Sequence, residues 1–335
     1  MRNVGTIAGW VTLAMCAFAP VCGHAQDLKG VNLAGAGFAS SKVPGVYGKD
    51  FLYPKAEEVA YFTQKGMNVF RISILWARLQ PTLLGPLDAK ELARLTDLVK
   101  IIRQHGASTI IDIHDYGRYR SVPIGTGDVT PAAFADLWIK LAGHFGHDDS
   151  VLFGLMNEPQ IPDPLRWRDI QQQAIDGIRH AGSNNRILVS GVGWDGAHSF
   201  ASLNGDALAG LKDPRHRMVF EVHQYFDHDS SGTTDKCVGP DEAVRRLTSM
   251  TEWLRAHHQQ GFLGEFGVSR RPECAADLDH VVAFMKANSR EWLGWTYWAA
   301  GPLWGNYMFT LEPDHGRDRP QMTVLLPYLS PPASR

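Results

Sequence analysis

Two segments of this 335-residue chain carry a glutamate where an apolar residue would be expected. Asn157-Glu158-Pro159 closes a run that begins at Val151, and Glu265 stands inside the run Gly261–Val268. Two carboxyl groups from different segments facing one cleft suit glycoside hydrolysis: one protonates the leaving oxygen while the other attacks the anomeric carbon. Similar positions, within or at the end of a short β-rich run, are held by Arg71, His114-Asp115-Tyr116, His223-Gln224-Tyr225 and Trp298. Each has a plainer alternative: Glu158 as a helix-start carboxylate before Pro159, Glu265 as the partner of Arg71 or Arg270. Charged groups are costly to bury one by one, so a single shared polar cleft accounts better for the whole set.

Other chemistries lack their parts. There is no GxSxG nucleophile elbow and no HExxH, and His257-His258 falls in a polar helix end. His223, Asp227 and His228 make a poor metal set, because no third ligand cluster of defined spacing accompanies them. Gly35-Ala36-Gly37 is a near miss for a dinucleotide loop, with Ser40 in place of the third glycine, and no Walker A pattern occurs. Neither a cofactor nor a metal is expected. Lysine plus arginine total 33 against 35 acids, a net charge of −2, which leaves no basic footprint for nucleic acid.

The elements that must position these residues follow a simple alternation. Short apolar or β-rich runs lie at Leu28–Ala36, Met67–Trp76, Thr109–Tyr116, Val151–Pro159, Arg186–Asp195, Met218–Asp227, Gly261–Val268 and Trp292–Gly301. Helix-like segments separate them. Asp88 with Glu91 reads as a capping-box pair, and Thr130-Pro131 and Asp163-Pro164 place a cap ahead of a first-turn proline. Asp88–His105 and Asp241–His258 have amphipathic spacing. Eight strand-then-helix units, with 44% hydrophobic residues for a core, predict an α/β fold: a single-domain (β/α)8 TIM barrel with its active site at the strand C-termini.

The first 25 residues stand apart. Arg2 is followed by the uncharged run Val4–Ala19, then Pro20 and the small-residue site Gly23-His24-Ala25. This predicts a secretory signal peptide over 1–25, with the catalytic domain over 26–335, a secreted or periplasmic location and no stable membrane insertion after cleavage. The mature chain then keeps two cysteines, Cys237 and Cys274, both in loops of an exported protein, so one disulfide is expected. Those loops follow the sixth and seventh runs, neighbours in a barrel, which would put the bridge on the rim near Glu265.

In its motifs the chain resembles glycoside hydrolase family 5, and within it the subfamily 5 endo-β-1,4-glucanases. The resemblance rests on KGVNLAGAGF (Lys29–Phe38), FRISILWARLQP (Phe70–Pro81), IDIHDYGRY (Ile111–Tyr119), GLMNEP (Gly154–Pro159), VHQYFD (Val222–Asp227), FLGEFGV (Phe262–Val268) and WTYWAAGPLWGNY (Trp295–Tyr307). It implies eight active-site positions at Arg71, His114, Asn157, Glu158, His223, Tyr225, Glu265 and Trp298, all of the expected type. It further implies Glu158 as acid/base and Glu265 as nucleophile, with net retention on β-glucan chains. Asp115 departs from relatives with this motif, which often carry asparagine, and puts an extra negative charge near the cleft. Asn157 suits donation to the sugar 2-hydroxyl, His114 and His223 suit hydrogen bonds to substrate or to the catalytic pair, and Trp298 offers a flat face beneath the sugar. Trp76, Tyr116, Trp194 and Trp304 are candidate subsite platforms. Mannan, xyloglucan and mixed-linkage glucan are alternative substrates, and a barrel without catalysis is the alternative from another class. The short tail after the barrel brings no binding module, which favours soluble or amorphous glucan; a monomer is expected.

Overall fold

A computed structural model describes Met1 and residues 27–329. The segment 1–25 read as a signal peptide, Met1 apart, and its cleavage point lie outside the described residues. Eight parallel strands close into a barrel: β1 (Leu28–Leu33), β2 (Val69–Ile74), β3 (Ser108–Ile113), β4 (Val151–Gly154), β5 (Ile187–Val189), β6 (Met218–Tyr225), β7 (Gly261–Gly267) and β8 (Trp292–Ala300). Seven of them lie within the runs read from the sequence, and β3 starts one residue ahead of its run, at Ser108. Closure comes from β1, which pairs with β2 on one side and β8 on the other. A two-stranded hairpin, Arg118–Tyr119 with Val122–Pro123, decorates the loop after β3.

The helices between strands are α1 (Ala56–Gln64), α2 (Ala89–Gln104), α3 (Pro131–Phe145), α4 (Pro164–His180), α5 (Ala197–Leu203), α6 (Pro240–Ala256) and α7 (Ala275–Ala287), with α8 (Pro320–Leu325) after β8. Their starts are set locally. Thr130 Oγ1 accepts the Ala133 N–H and Asp163 accepts the Leu165 N–H, each satisfying a first-turn donor with no partner inside the helix. Asp88 caps α2 through the Lys90 and Glu91 N–H groups, but the reciprocal half of the expected capping box is not made. The Glu91 carboxylate instead takes the Tyr53 hydroxyl and Arg94. Because α4 begins at Pro164 with its own cap, Glu158 is not a helix-start carboxylate.

The interior is layered. Leu28, Val69, Ile110, Leu152, Leu188, Val219, Phe262 and Leu293, one from each strand, form a buried apolar cluster at the strand starts. Side chains two residues further along a strand point the same way, so Arg71, Asp112 and Glu221 stand directly above Val69, Ile110 and Val219. The barrel therefore has an oily floor and a charged middle. A much larger cluster fills the space between the barrel and its helices. Among the described residues, no helix is long and apolar enough to cross a membrane.

Candidate active site

Arg71 is the hub of the charged layer. It is fully buried, and an unpaired guanidinium there would be prohibitive. Nη1 donates to Asn32 Oδ1 at 3.0 Å and to Glu265 Oε1 at 2.9 Å, and Nη2 donates to Asn157 Oδ1 at 2.9 Å. Glu221 at 2.7 Å from Nε and Asp112 at 3.1 Å from Nη2 add ion-pair contacts outside hydrogen-bond alignment. Burial opposes the charge, but Asp112, Glu221 and Glu265 outweigh it, so the Arg71 pKa is raised. The site needs space for these groups: a Cβ at Gly264 would lie 2.1 Å from Glu221 Oε1. Since Arg71 has only donors, it also fixes the Asn157 amide with its oxygen inward and its NH2 as the remaining donor.

Glu265, on β7, is held at both oxygens. Arg71 takes Oε1, and the Tyr225 hydroxyl donates to Oε2 at 2.9 Å. Glu158, just beyond β4, has Oε1 2.8 Å from His223 Nδ1, and the same ring nitrogen is 3.7 Å from Glu265 Oε2. One ligating atom from each of Glu158, His223 and Glu265 lies within 4.8 Å of the other two. That spacing is also compatible with a cation, but here Arg71 already places a permanent positive charge on Glu265 and His223 bonds Glu158. Burial opposes a charged His223, yet the Glu265 charge, the hydrogen bond to Glu158 and the nearby Glu221 carboxylate prevail and hold its pKa well above the ordinary value. His114 is likewise raised: against burial, the Asp112 charge and its 2.8 Å hydrogen bond to Nδ1 win.

The cleft above these groups has a volume of about 610 Å³, and both glutamates, Tyr116, Trp194 and Trp298 face it. A second concavity of about 240 Å³ shares His114, Tyr116 and Trp298 with the first and continues to Trp304 and Phe38. The Trp298 ring stacks on His114 with centroids 5.6 Å apart and meets Trp304 edge-on. Tyr116, Trp194 and Trp304, three of the candidate platforms, line these two concavities; Trp194 is 60% exposed. Trp76 does not. It is completely buried, edge-on to Tyr119 and tilted against Phe134, with its indole N–H on Gln80. It opens the short helix Trp76–Leu79 directly after β2, and this turn drives the indole into the core.

Asp115 also departs from expectation. Its carboxylate turns away from the cleft and accepts the backbone N–H of Trp76. Burial pushes its pKa up to about 7, and the residue lines neither of the two concavities.

Three residues that serve the site were not singled out from the sequence, although Asn32 and Asp112 lie inside the motifs quoted above. Glu221 precedes His223 by two positions on β6, and Asp112 on β3 stands two before His114, which lies one residue past that strand; the period-two rule could have found both, and Asn32 stands on β1. Asp227, weighed above as a metal ligand, ties a loop instead: it accepts the N–H groups of Gly232, Thr233 and Thr234. Cys237 and Cys274 are bonded, with Cα atoms 5.5 Å apart, and join the loops after β6 and β7.

Comparison with known proteins agrees with this fold. The family model described as cellulase (glycosyl hydrolase family 5) matches residues 28–301. Endo-β-1,4-glucanase B of Aspergillus niger is 37% identical over 288 residues, covering 86% of this chain and 85% of that one. The solved endo-β-1,4-glucanase Xac0029 of Xanthomonas axonopodis pv. citri superposes with a TM-score of 0.88 at 45% identity, covering 90% of this chain and 98% of its own. Endoglucanase Cel5A of Pseudomonas stutzeri, solved in complex with cellobiose, gives a TM-score of 0.86 at 35% identity over 92% of this chain and 94% of its own. The buried Arg71 hub, the paired glutamates and the aromatic cleft are set in a (β/α)8 barrel, and the chain belongs to glycosyl hydrolase family 5.

Proposed function

We propose that the chain is an exported endo-β-1,4-glucanase that cleaves internal bonds of β-glucan by a retaining mechanism. The observation that carries this reading is the approach of a Glu158 oxygen to within 4.8 Å of a Glu265 oxygen. Retaining sites hold their carboxyl groups ~5–5.5 Å apart, whereas inverting sites leave room for a water at ~6.5–9.5 Å. The name of the Aspergillus niger relative and the cellobiose bound to the Pseudomonas stutzeri enzyme support the substrate class.

In this mechanism Glu265 is the nucleophile. Arg71 and the Tyr225 hydroxyl hold it in place, and an oxygen of its carboxylate attacks the anomeric carbon. Glu158 gives its proton to the glycosidic oxygen as the carbon–oxygen bond breaks and its electron pair moves to that oxygen. The glycosyl ester on Glu265 is then opened by water, whose proton Glu158 accepts, and the ester electrons return to the Glu265 carboxylate. His223 turns the Glu158 carboxyl through both stages. The free NH2 of Asn157 serves the sugar 2-hydroxyl, a contact that tightens in the oxocarbenium-like transition state. Trp298 lies beneath the reacting sugar, while Tyr116, Trp194 and Trp304 extend the stacking surface on either side.

The test is reducing-end release from carboxymethylcellulose, mixed-linkage glucan, mannan and xylan, with Glu265→Gln beside the wild type. Strong release from the glucans, reduced ~10³-fold or more by the substitution, is expected of a lost covalent nucleophile. Mannan as the best substrate would keep the mechanism and overturn the glucan assignment. A fully active Glu265→Gln protein would overturn the mechanism.

A further inference from the structure

Glu158 has a backbone conformation that its side chain does not favour. Its φ is +41°, in the left-handed region, where a residue with a Cβ persists only if its surroundings over-determine it. The surroundings here come from the loop after β5. Asp195, fully buried, accepts the Glu158 N–H at Oδ2 (2.9 Å) and the Gly191 N–H at Oδ1 (2.5 Å). Its carbonyl oxygen accepts the His223 N–H at 2.8 Å. One aspartate therefore fastens the backbone of Glu158 and that of the histidine bonded to the Glu158 carboxyl. Asp195 itself has φ +52° and follows Trp194 at φ +60°, so the clamp is built from a turn that is itself in the left-handed region.

We propose that Asp195 is a positioning residue for proton transfer: its carboxylate holds Glu158 in the left-handed conformation that points the Glu158 carboxyl at His223 and at the scissile oxygen. This rests on Glu158 being the acid/base. Without the clamp, residue 158 relaxes toward negative φ, which swings its Cα–Cβ bond and carries the carboxyl off the line to the leaving oxygen. Glu265 keeps its own hydrogen bonds, because its partners Arg71 and Tyr225 come from β2 and β6 and make no hydrogen bond with Asp195. The loss should therefore fall on protonation and spare nucleophilic attack.

Aryl β-cellobiosides separate the two, since the sugar stays constant while the leaving group ranges from 2,4-dinitrophenol, which needs no proton to depart, to phenol, which does. We would measure kcat/KM across this series for wild type, Asp195→Asn and Asp195→Ala, with thermal unfolding in parallel. The expected result is kcat/KM for the dinitrophenyl substrate within ~3-fold of wild type, and for the phenyl substrate ~100-fold lower in Asp195→Ala, the scale of a lost general acid. Asp195→Asn, which keeps one acceptor oxygen, should fall between, ~10-fold lower on the phenyl substrate. The same fractional loss on every leaving group, or no loss, would overturn the proposal; if Asp195→Ala does not fold, Asp195→Asn decides on the same criterion. A wild-type protein inert on glucans and on every aryl cellobioside would instead refute the function proposed above.

Discussion

Replacing Asp115 by asparagine is expected to remove most of a pH dependence in stability that the wild type carries between about pH 4 and pH 7. Asp115 is 8% exposed and its carboxyl is held to the Trp76 N–H; burial, the largest influence, raises its pKa from 3.8 to about 7. A folded-state pKa above the unfolded one means that the folded protein binds the extra proton. The associated stability is therefore full below pH 3.8 and is lost as pH rises through about 7. Three pKa units at 1.36 kcal/mol each give a loss of roughly 4 kcal/mol across that window. Asparagine cannot ionise, and its carbonyl oxygen can still accept the Trp76 N–H, so the variant escapes the loss at the cost of an imperfect amide fit of about 1 kcal/mol. Urea unfolding of both proteins at pH 4, 6 and 8, followed by tryptophan fluorescence, tests this. Near pH 4 the variant should be equal or slightly weaker; at pH 8 it should be stronger by about 3 kcal/mol. A difference between the two proteins that stays constant across the three pH values would refute the assignment of a buried, neutralised Asp115.

Trp76→Ala is expected to cost about 3–5 kcal/mol of stability through a core cavity. Trp194→Ala should leave stability within about 0.5 kcal/mol and raise KM for cello-oligosaccharides several-fold; paired denaturation and kinetic measurements check both. Joint replacement of Cys237 and Cys274 by serine releases a loop closed over 37 residues. It is expected to lower stability by about 4 kcal/mol in the chain-entropy model, read as a lower urea midpoint than that of the oxidised wild type.

The residues easiest to read from sequence were those whose type contradicts a barrel strand. An arginine inside FRISI or a glutamate inside FLGEFGV demands a partner, and the structure supplies partners at hydrogen-bond distance for both. The eight strands were legible for the same reason, since apolar runs of the right length can satisfy their backbones only side by side. Trp76 was not legible. An indole just past a strand end can face sugar or core, and the choice is made by the turn into the helix Trp76–Leu79, which apolar spacing does not reveal. Asp115 failed similarly: its side chain found an unpaired helix-start N–H, a local competition invisible to motif matching. Glu221 and Asp112 sat in plain alternation with His223 and His114, but their function depends on Arg71, which arrives from another strand.

Barrel closure has a consequence for when activity can appear. Leu28 registers with Gly294, so the first strand finds its last neighbour only near the end of the chain. The Asn32 amide, which orients Arg71 through its oxygen, donates across that seam to the Gly264 and Thr296 carbonyls, the latter 264 positions away. A nascent chain emerging from its ribosome can pair strands two to six, yet it cannot assemble the guanidinium hub until β7 and β8 have been synthesised. Such long-range pairing is slow and leaves half-built sheets exposed. For an exported protein, as proposed above, late closure would be an advantage. The unfinished barrel remains threadable, and hydrolytic competence arises only when the whole ring has shut.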